Sequence, residues 1–314
     1  MSAVREAPLL VSLHGAADTE LLQRHLPGCT IREIAALASA DPRLATRAEV
    51  LVLRSGHHLD AKRLTEWPKL RHVIRSGSGL DGINVAHMAA AGVTVHRNPE
   101  PAADAVAEWT LAALLALARR IPYGHAALLE GQHVKQQCLA PPLSKMRVAV
   151  WGAGPVGRAC AKALAPYTAE LAFASRPSLP DTSPARPADE LPGWADAHVV
   201  ALPLTDENRG RFGTDFLTAA REKCPLLICV GRLGTLDVSA CLRALADGGL
   251  GGLALDPVEE SHLPLWPESN SPGPLNLLAT PHIGAQRHDV RSLLDRWVAA
   301  TAAAVLASEG RTAS

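Results

Sequence analysis

The sequence predicts an α/β fold with two domains, each built on a parallel β-sheet covered by helices. Three observations predict it. The chain has 314 residues, which is above the usual size of one domain. Short apolar runs alternate with helical patterns, and strand–helix–strand alternation favours parallel sheets. These runs form two series, which a long apolar helix separates.

The first series occupies the first third of the chain. Its strand candidates lie at 9–15, 50–56, 70–77 and 93–98. A helix is expected from about Asp18, because an aspartate side chain can cap the first turn of a helix.

The separating helix follows Pro101 and reads AADAVAEWTLAALLALARRI. It consists almost entirely of strong helix formers and is apolar on nearly all sides. A helix without a polar face is buried. Because Glu108, Arg119 and Arg120 interrupt or flank it, we expect burial in a domain or a dimer interface and not in a membrane.

The second series is more regular. Its strands are expected at 147–152, 170–175, 196–203, 224–231 and 249–256. Helices are expected up to about 165, near 214–223 and near 238–247. After a Pro-rich loop, an amphipathic helix at about 286–308 ends the chain, and it could return to the first domain.

Composition excludes several classes of protein. Lys+Arg and Asp+Glu both number 31, so the chain lacks the positive charge of a non-specific nucleic-acid binder. No apolar run reaches the roughly 20 residues of a membrane span, and the N-terminus lacks a signal-peptide pattern. The six cysteines show no metal-ligand spacing, so we expect a cytoplasmic protein with buried, reduced thiols and no metal.

One glycine-rich loop carries a specific prediction. Gly152-Ala153-Gly154-Pro155-Val156-Gly157 matches G-x-G-x-x-G and lies between a predicted strand and a predicted helix. In this context the glycines permit a tight turn, a close approach of pyrophosphate and close packing of helix on strand. The loop therefore predicts a dinucleotide site that uses Gly152, Gly154, Pro155, Val156 and Gly157.

The end of the next strand indicates which dinucleotide binds. NAD sites usually carry an acidic residue there, but this chain has Ser175-Arg176. A guanidinium can bind a 2′-phosphate through two hydrogen bonds, so NADP(H) is favoured over NAD(H). The alternative is that Arg176 is an ordinary loop residue and that the protein uses NAD without an acidic partner.

Several segments together resemble the D-isomer-specific 2-hydroxyacid dehydrogenases, over about 51–288. The matching segments occur in the same order as in the family. They are RSGSGLDGINV, AAAGVTVHRNPEPAADAVAEWTLAALLALARR, WGAGPVG, ALPLTDENRG, CVGRLGTLD, GGLALDPVEE and TPHIGA. Trp151-Gly152, the Ser-Arg pair and LPLW at 263–266 are most similar to the NADPH-dependent glyoxylate/hydroxypyruvate reductases of that family.

The resemblance implies the domain organisation. It implies two Rossmann-like domains, one flavodoxin-like and one dinucleotide-binding. The NAD(P)-binding domain would cover 98–285, and the substrate-binding domain would cover 1–97 with 286–314. It also implies a homodimer built on the cofactor domains.

The resemblance further assigns residues to roles. His282 matches the general acid/base and Arg232 matches the arginine that binds the substrate carboxylate and polarises the carbonyl. Asp256 matches a residue that contacts the nicotinamide carboxamide. The remaining matches to cofactor-binding positions are Leu202, Pro203, Val230 and Gly231. The matches to substrate-binding positions are Arg54, Ser55, Ser78 and Gly79.

The chain departs from the family at the third catalytic position. The family places a glutamate about five residues after the strand-ending aspartate, usually before a proline. Here that position is Ser261, followed by His262. Either a shift of the loop lets Glu260 assist His282, or Ser261 occupies the position and the histidine is unassisted.

These observations predict an NAD(P)-dependent oxidoreductase that reduces a small 2-keto acid, such as glyoxylate or hydroxypyruvate, to a D-2-hydroxyacid. Two alternatives remain open. Leu233, where the family usually has glycine after the arginine, and Ser261-His262 would fit a specialised biosynthetic 2-ketoacid reductase. The missing glutamate would fit a catalytically weak dinucleotide-binding regulator.

Overall fold

The protein divides into two compact units. A computed structural model describes residues 6–54, 56–77, 79–80, 82–174, 184–265 and 273–312. The first unit comprises Met1–Pro101 and Arg287–Ser314, and the second comprises Ala102–Gln286. The family resemblance implies borders at 97/98 and 285/286.

The first unit contains a five-stranded parallel sheet. Its strands are β1 (Leu9–Leu13), β2 (Thr30–Ile34), β3 (Val50–Leu53), β4 (His72–Arg75) and β5 (Thr94–Arg97). Their order is β2-β1-β3-β4-β5, which is the flavodoxin-like order. Its helices begin with α1 (Thr19–His25), α2 (Pro42–Ala45), α3 (Ala61–Leu64) and α4 (Val85–Ala90).

Local sequence explains most of these elements. Every residue of β1 and β3 is buried, as expected for central strands that helices cover on both faces. The Asp18 side chain accepts a hydrogen bond from the backbone N–H of Leu21 at 3.0 Å, so it caps α1 as predicted. The strand β2 was not predicted, because only Ile31 of its five residues is fully buried and the others lack a strand pattern.

The second unit contains a seven-stranded sheet in which all neighbouring strands are parallel. Its strands are β6 (Arg147–Trp151), β7 (Glu170–Ala174), β8 (Ala185–Arg186), β9 (Ala197–Val200), β10 (Leu226–Cys229), β11 (Gly252–Leu255) and β12 (Leu277–Ala279). Their order is β12-β11-β10-β9-β6-β7-β8, which contains the Rossmann order. The predicted fold class, α/β with two parallel sheets, is confirmed.

Among the residues that the structure describes, six α-helices accompany this sheet. They are α5 (Glu100–Ala118), α6 (Ile121–Leu129), α7 (Pro155–Leu164), α8 (Leu191–Trp194), α9 (Thr214–Ala220) and α10 (Val238–Ala246). By length and composition alone α5 could cross a membrane, but 56% of its apolar window is buried within the protein. Ala113, Leu114 and Leu117 of α5 pack in the core of the second unit.

The last helix, α11 (His288–Thr312), belongs to the first unit. Its residues Val298, Ala299 and Ala302 are fully buried in the same core as β1, β3 and β4. The chain therefore leaves the first unit after β5 and re-enters it at its end.

The second sheet determines where functional groups can meet. Because its strands are parallel, the loops that follow β6, β9, β10, β11 and β12 all leave from one edge. Open α/β sheets bind ligands at this carboxyl edge. The strand β11 lies between β10 and β12, so the loops after these three strands are neighbours.

Candidate active site

The glycine loop after β6 has the geometry that its motif predicts. Gly152 has a φ of +112°, and a Cβ atom there would lie 2.7 Å from the carbonyl oxygen of Ala201. A Cβ atom on Gly157 would overlap the carbonyl oxygen of Gly152. At Gly154, by contrast, a Cβ atom would have no neighbour among the described residues within 4 Å. Gly152 and Gly157 are thus required by the fold itself, whereas the open space lies at Gly154.

The helix α7 begins directly after this open space. Gly154 is its N-cap residue, Pro155 occupies the first turn, and no described side chain caps the helix. The N–H groups of Val156 and Gly157 therefore lie at a helix N-terminus, where the backbone favours an anion. These residues fit the pyrophosphate of a dinucleotide cofactor.

The predicted cofactor residues after β9 and β10 lie beside this loop. Leu202 and Val230 are buried, and Pro203 is exposed. A Cβ atom on Gly231 would overlap the carbonyl oxygen of Leu202, so the two loops pack backbone to backbone. Ser175 and Arg176, on which the choice of NADP(H) depends, lie outside the described residues.

Asp256 organises the loop after β12. It is only 2% exposed, and it lies at the end of β11. Its Oδ1 atom accepts hydrogen bonds from the Thr280 hydroxyl at 2.7 Å and from the backbone N–H of Ile283 at 2.8 Å. The N–H of Gly284 donates to both of its carboxylate oxygens. The carboxylate thus fixes residues 280–284, while its predicted contact with nicotinamide stays a prediction.

His282 lies in the centre of the loop that Asp256 fixes. Its φ of +57° is unusual for a residue with a side chain. The backbone compensates, because the N–H of His282 donates to the carbonyl oxygen of Asp256 at 2.7 Å. Such local strain, held by surrounding hydrogen bonds, is a common feature of active sites. The imidazole remains about one third exposed.

The carboxylate beside His282 belongs to Glu259. Its Oε1 atom lies 3.5 Å from Nδ1 of His282. The family spacing after Asp256 assigns this position to Glu260 or Ser261, and both of these residues are exposed. The structure corrects this expectation, because Glu259 occupies the position that was assigned to Glu260.

The loop geometry explains the difference. Pro257 and Pro281 form an antiparallel bridge, which brings the segments after β11 and β12 together. The N–H of Val258 donates to the carbonyl oxygen of Asp256 at 2.7 Å, so the chain turns tightly. Glu260 then starts a 3₁₀ helix over Glu260–Leu265. Glu259 is therefore the last residue before that helix, and its carboxylate lies beside His282.

Arg232 follows β10 at the same edge of the sheet. Its backbone is extended, and its carbonyl oxygen accepts a hydrogen bond from the Thr235 hydroxyl at 2.7 Å. The Nη1 atom donates to the carbonyl oxygen of Gly231 at 2.7 Å. Leu233, where the family usually has glycine, is buried and anchors the loop in the core. The guanidinium is thus held one strand away from the Asp256–His282 segment.

In the first unit, positive charge gathers at the carboxyl edge of its sheet. Arg54 follows β3, and Arg75 ends β4 and is buried. Burial and then the charges of Arg54 and Arg75 lower the pKa of His57. Gly79 is partly buried, whereas Ser55 and Ser78 lie outside the described residues. The sequence motifs indicate Arg54 and Gly79 but not Arg75 and His57, although Arg75, like Arg54, stands before a Ser-Gly pair at the end of a predicted strand.

The cysteines are all free, and Cys160, Cys229 and Cys241 are buried as predicted. Burial raises the pKa of Cys229 to about 12, so this thiol stays protonated near neutral pH. The prediction was wrong for Cys224, which is exposed, and Cys29 and Cys138 are only partly buried. Within the described ranges, no three His, Cys, Asp or Glu side chains form a metal-binding group.

Comparison with known proteins identifies the family. Residues 111–284, more than half of the chain, match the family model described as D-isomer specific 2-hydroxyacid dehydrogenase, NAD binding domain. A D-3-phosphoglycerate dehydrogenase from Mycobacterium bovis is 30% identical over 83% of this chain and 50% of its own length. The chain thus spans about half the length of that relative. A glyoxylate reductase from Pyrococcus horikoshii is 27% identical over 80% of this chain and 78% of its own.

A solved structure agrees with these matches. The NADPH-dependent glyoxylate/hydroxypyruvate reductase from Sinorhizobium meliloti, solved with NADP and malonate, superposes with a TM-score of 0.78 at 25% identity. The match covers 94% of this chain and 92% of that one. From these matches, and from the glycine loop and the His282 segment that lie within the matched residues, this chain belongs to the D-isomer specific 2-hydroxyacid dehydrogenase family.

Proposed function

We propose that this protein reduces a small 2-keto acid of the glyoxylate or hydroxypyruvate class to the D-2-hydroxyacid with NAD(P)H. One observation carries the proposal. A histidine whose Nδ1 atom lies against the carboxylate of Glu259 is fixed at the sheet edge that also holds the glycine loop. This arrangement suits proton transfer next to a bound dinucleotide.

One side chain, His282, would then take part in the chemical step. A dinucleotide held at the glycine loop would supply the hydride for the carbonyl carbon. His282 donates a proton to the carbonyl oxygen, which would otherwise become an alkoxide. With Nδ1 facing Glu259, the Nε2 atom of His282 is the one that gives up the proton. A positioned general acid of this kind contributes roughly 10²- to 10⁴-fold to the rate.

The substrate carboxylate needs its own partners. Arg232 supplies a guanidinium that can bind a carboxylate with two hydrogen bonds and polarise the adjacent carbonyl. From the first unit, we assign Arg54 and the backbone around Gly79 to carboxylate binding, as the family resemblance implies. Arg75 adds positive charge to that same edge, where burial and then the charges of Arg54 and Arg75 lower the pKa of His57.

For the cofactor, we propose a preference for NADP(H) over NAD(H). The absence of an acidic residue at the end of β7 and the presence of Ser175-Arg176 support it. The S. meliloti neighbour is named as an NADPH-dependent enzyme, which agrees with this preference. We also propose a cytoplasmic homodimer.

The first test is an assay against a panel of substrates. NADPH and NADH oxidation would be followed with glyoxylate, hydroxypyruvate and pyruvate, and NAD(P)⁺ reduction with 3-phosphoglycerate. We expect turnover of at least one small 2-keto acid, faster with NADPH. His282→Gln should lower kcat by about 10²-fold or more and leave cofactor binding intact, because it removes the general acid.

Three outcomes would contradict the proposal. Turnover of 3-phosphoglycerate alone would move the substrate class to that of the mycobacterial relative. Dinucleotide binding without turnover of any 2-keto acid would favour a regulatory role. Full activity of His282→Gln would remove His282 from the chemistry.

A further inference from the structure

The position of Glu259 depends on its backbone. Its side chain is about 41% exposed, and its ion pair with His282 spans 3.5 Å. An exposed ion pair at that distance contributes little energy of its own. The backbone geometry that directs the Glu259 side chain towards His282 therefore needs support from elsewhere.

His262 binds the backbone of Glu259 at both of its polar groups. The N–H of His262 donates to the carbonyl oxygen of Glu259 at 2.8 Å. In return, the backbone N–H of Glu259 donates to Nδ1 of the His262 ring at 3.0 Å. Both bonds close over three residues, so Glu259 cannot rotate about its backbone without breaking at least one of them.

This arrangement is half of a capping box in which histidine replaces the usual glutamate or glutamine. In a capping box the side chain at the third helical position accepts from the backbone N–H of the N-cap residue. Glu259 precedes the 3₁₀ helix Glu260–Leu265, and His262 is the third residue of that helix. The ring thus defines where the helix begins and leaves Glu259 as the residue that faces His282.

We propose that His262 is a positioning residue for the acid–base pair: its Nδ1 atom fixes the Glu259 backbone, and Glu259 in turn holds the Nδ1–H of His282. The departure from the family motif would then be compensated. Ser261 has no carboxylate to offer. Instead, His262 holds Glu259 so that the Glu259 carboxylate lies beside His282. This inference rests on the proposed role of His282 in proton transfer.

The ring chemistry suggests matched variants. Nδ1 of histidine and Oδ1 of asparagine are both bonded to Cγ, so His262→Asn keeps an acceptor in nearly the same place. His262→Leu keeps comparable bulk but removes the acceptor. Ser261→Ala changes the adjacent exposed residue of the same turn and serves as the control for substitution in this helix.

The closing experiment reads the tautomer of His282 directly. Protein labelled with ¹⁵N-histidine would be studied by NMR at a pH where the imidazole is neutral, and the His282 signals assigned by their loss in His282→Gln. In the wild type we expect the Nδ1–H tautomer, because the Glu259 carboxylate accepts that proton. Glu259→Ala and His262→Leu should both shift the population towards Nε2–H, while His262→Asn and Ser261→Ala should not.

Steady-state kinetics provide the second measurement. His262→Leu should lower kcat by about 10- to 100-fold, the range expected when a catalytic group is misplaced by about 1 Å. The KM for NADPH should stay unchanged, and His262→Asn should restore most of the rate. Circular dichroism would establish that each variant is folded.

The two measurements separate two failures. A wild-type tautomer in His262→Leu would overturn the positioning role, whatever the activity. The expected tautomer changes in a protein without 2-ketoacid reductase activity would leave the positioning role intact and contradict the proposed function. If His262→Asn behaves like His262→Leu, the acceptor is not what matters and the inference is wrong.

Discussion

Glu259 and Glu260, which follow β11, have the same side chain but lie in different surroundings. The carboxylate of Glu259 lies 3.5 Å from Nδ1 of His282, whereas Glu260 is exposed on a 3₁₀ helix. We therefore expect Glu259→Ala to lower kcat by about 10- to 100-fold, since the histidine loses the group that orients it. The measurement is the steady-state rate of 2-keto acid reduction.

The neighbouring variant Glu260→Ala is the matched control for that prediction. It removes a carboxylate of equal charge from the adjacent position, and it should leave kcat within about twofold of wild type. A large loss in Glu260→Ala with little loss in Glu259→Ala would mean that the loop rearranges when substrate binds.

The same residues show where sequence-based prediction ends. Arg232 was predicted correctly to follow a strand, because it stands directly after the apolar run 224–231. The partner of His282 was not, because the spacing rule counts residues from Asp256. The true partner follows from the Pro257–Pro281 bridge and the start of the 3₁₀ helix, which are tertiary features.

At the scale of elements, two glycines of the same loop are expected to serve different purposes: Gly157 is needed for folding and Gly154 for cofactor binding. Gly157→Ala would place a methyl group onto the Gly152 carbonyl oxygen, so we expect severe destabilisation, by several kcal/mol. Gly154→Ala meets no described atom within 4 Å and should fold with a nearly unchanged Tm. It should nevertheless weaken NADPH binding, because the methyl group would occupy the space of the pyrophosphate.

Thermal melts and NADPH titration calorimetry would measure both effects. A drop in Tm for Gly154→Ala equal to that of Gly157→Ala would show that Gly154 is as tightly packed as Gly157. Wild-type NADPH affinity in a folded Gly154→Ala would place the pyrophosphate elsewhere.

The strand β9 carries a second prediction. His198 is completely buried, and burial lowers its pKa from 6.5 to about 3. Its Nδ1 atom accepts a hydrogen bond from the Trp151 indole at 3.2 Å. Between pH 6.5 and 3 the unfolded chain binds a proton at this histidine that the folded protein does not. The stability that neutral, buried His198 contributes is therefore complete above pH 6.5. It is lost as the pH falls from 6.5 towards 3, because protonation then favours the unfolded chain.

The size of the effect follows from the shift. Each pH unit below 6.5 should reduce the free energy of unfolding by about 1.4 kcal/mol, so pH 5 should cost about 2 kcal/mol. Urea unfolding across pH 5 to 8 would measure it. The variant His198→Asn keeps an acceptor for Trp151 but cannot titrate. Its free energy of unfolding at pH 5 should therefore lack this loss of about 2 kcal/mol. Parallel curves for the two proteins would show that His198 is not the cause.

Elements with a repetitive apolar pattern were predictable, and those that depend on a neighbour were not. The central strands β3 and β10 are completely buried and read as short apolar runs. The strand β2 has one fully buried residue and is formed by pairing with β1. Two-residue β8 similarly exists through its pairing with β7. Edge strands like these carry too few buried residues to produce a pattern.

At the scale of the whole molecule, the two series of strands correctly indicated two parallel sheets. Length and the break at Pro101 supplied the number of sheets, and the G-x-G-x-x-G loop indicated which one binds a dinucleotide. The substrate could not be read in this way, because it depends on side chains that meet from several loops. The family includes relatives named for glyoxylate and for 3-phosphoglycerate, so membership alone does not choose between them.

The surface of the second unit supports the proposed homodimer. Of the nine large apolar side chains that are exposed in the described residues, five lie within 115–139: Leu115, Ile121, Leu128, Leu129 and Leu139. Leu129 is 77% exposed, and such a concentration on one segment marks an interaction surface more often than chance exposure does. A second copy of this chain is the occupant that the family resemblance implies.

Substitution of this segment tests the assembly. We expect the wild type to behave as a dimer of 33.1 kDa chains in size-exclusion chromatography with light scattering. Leu128→Glu combined with Leu129→Glu should shift it towards monomer, because a carboxylate buried without a partner costs several kcal/mol. Leu293→Glu, at an exposed apolar position on α11, should leave the mass unchanged. A wild-type monomer, or a mass that responds equally to both changes, would contradict an interface at 115–139.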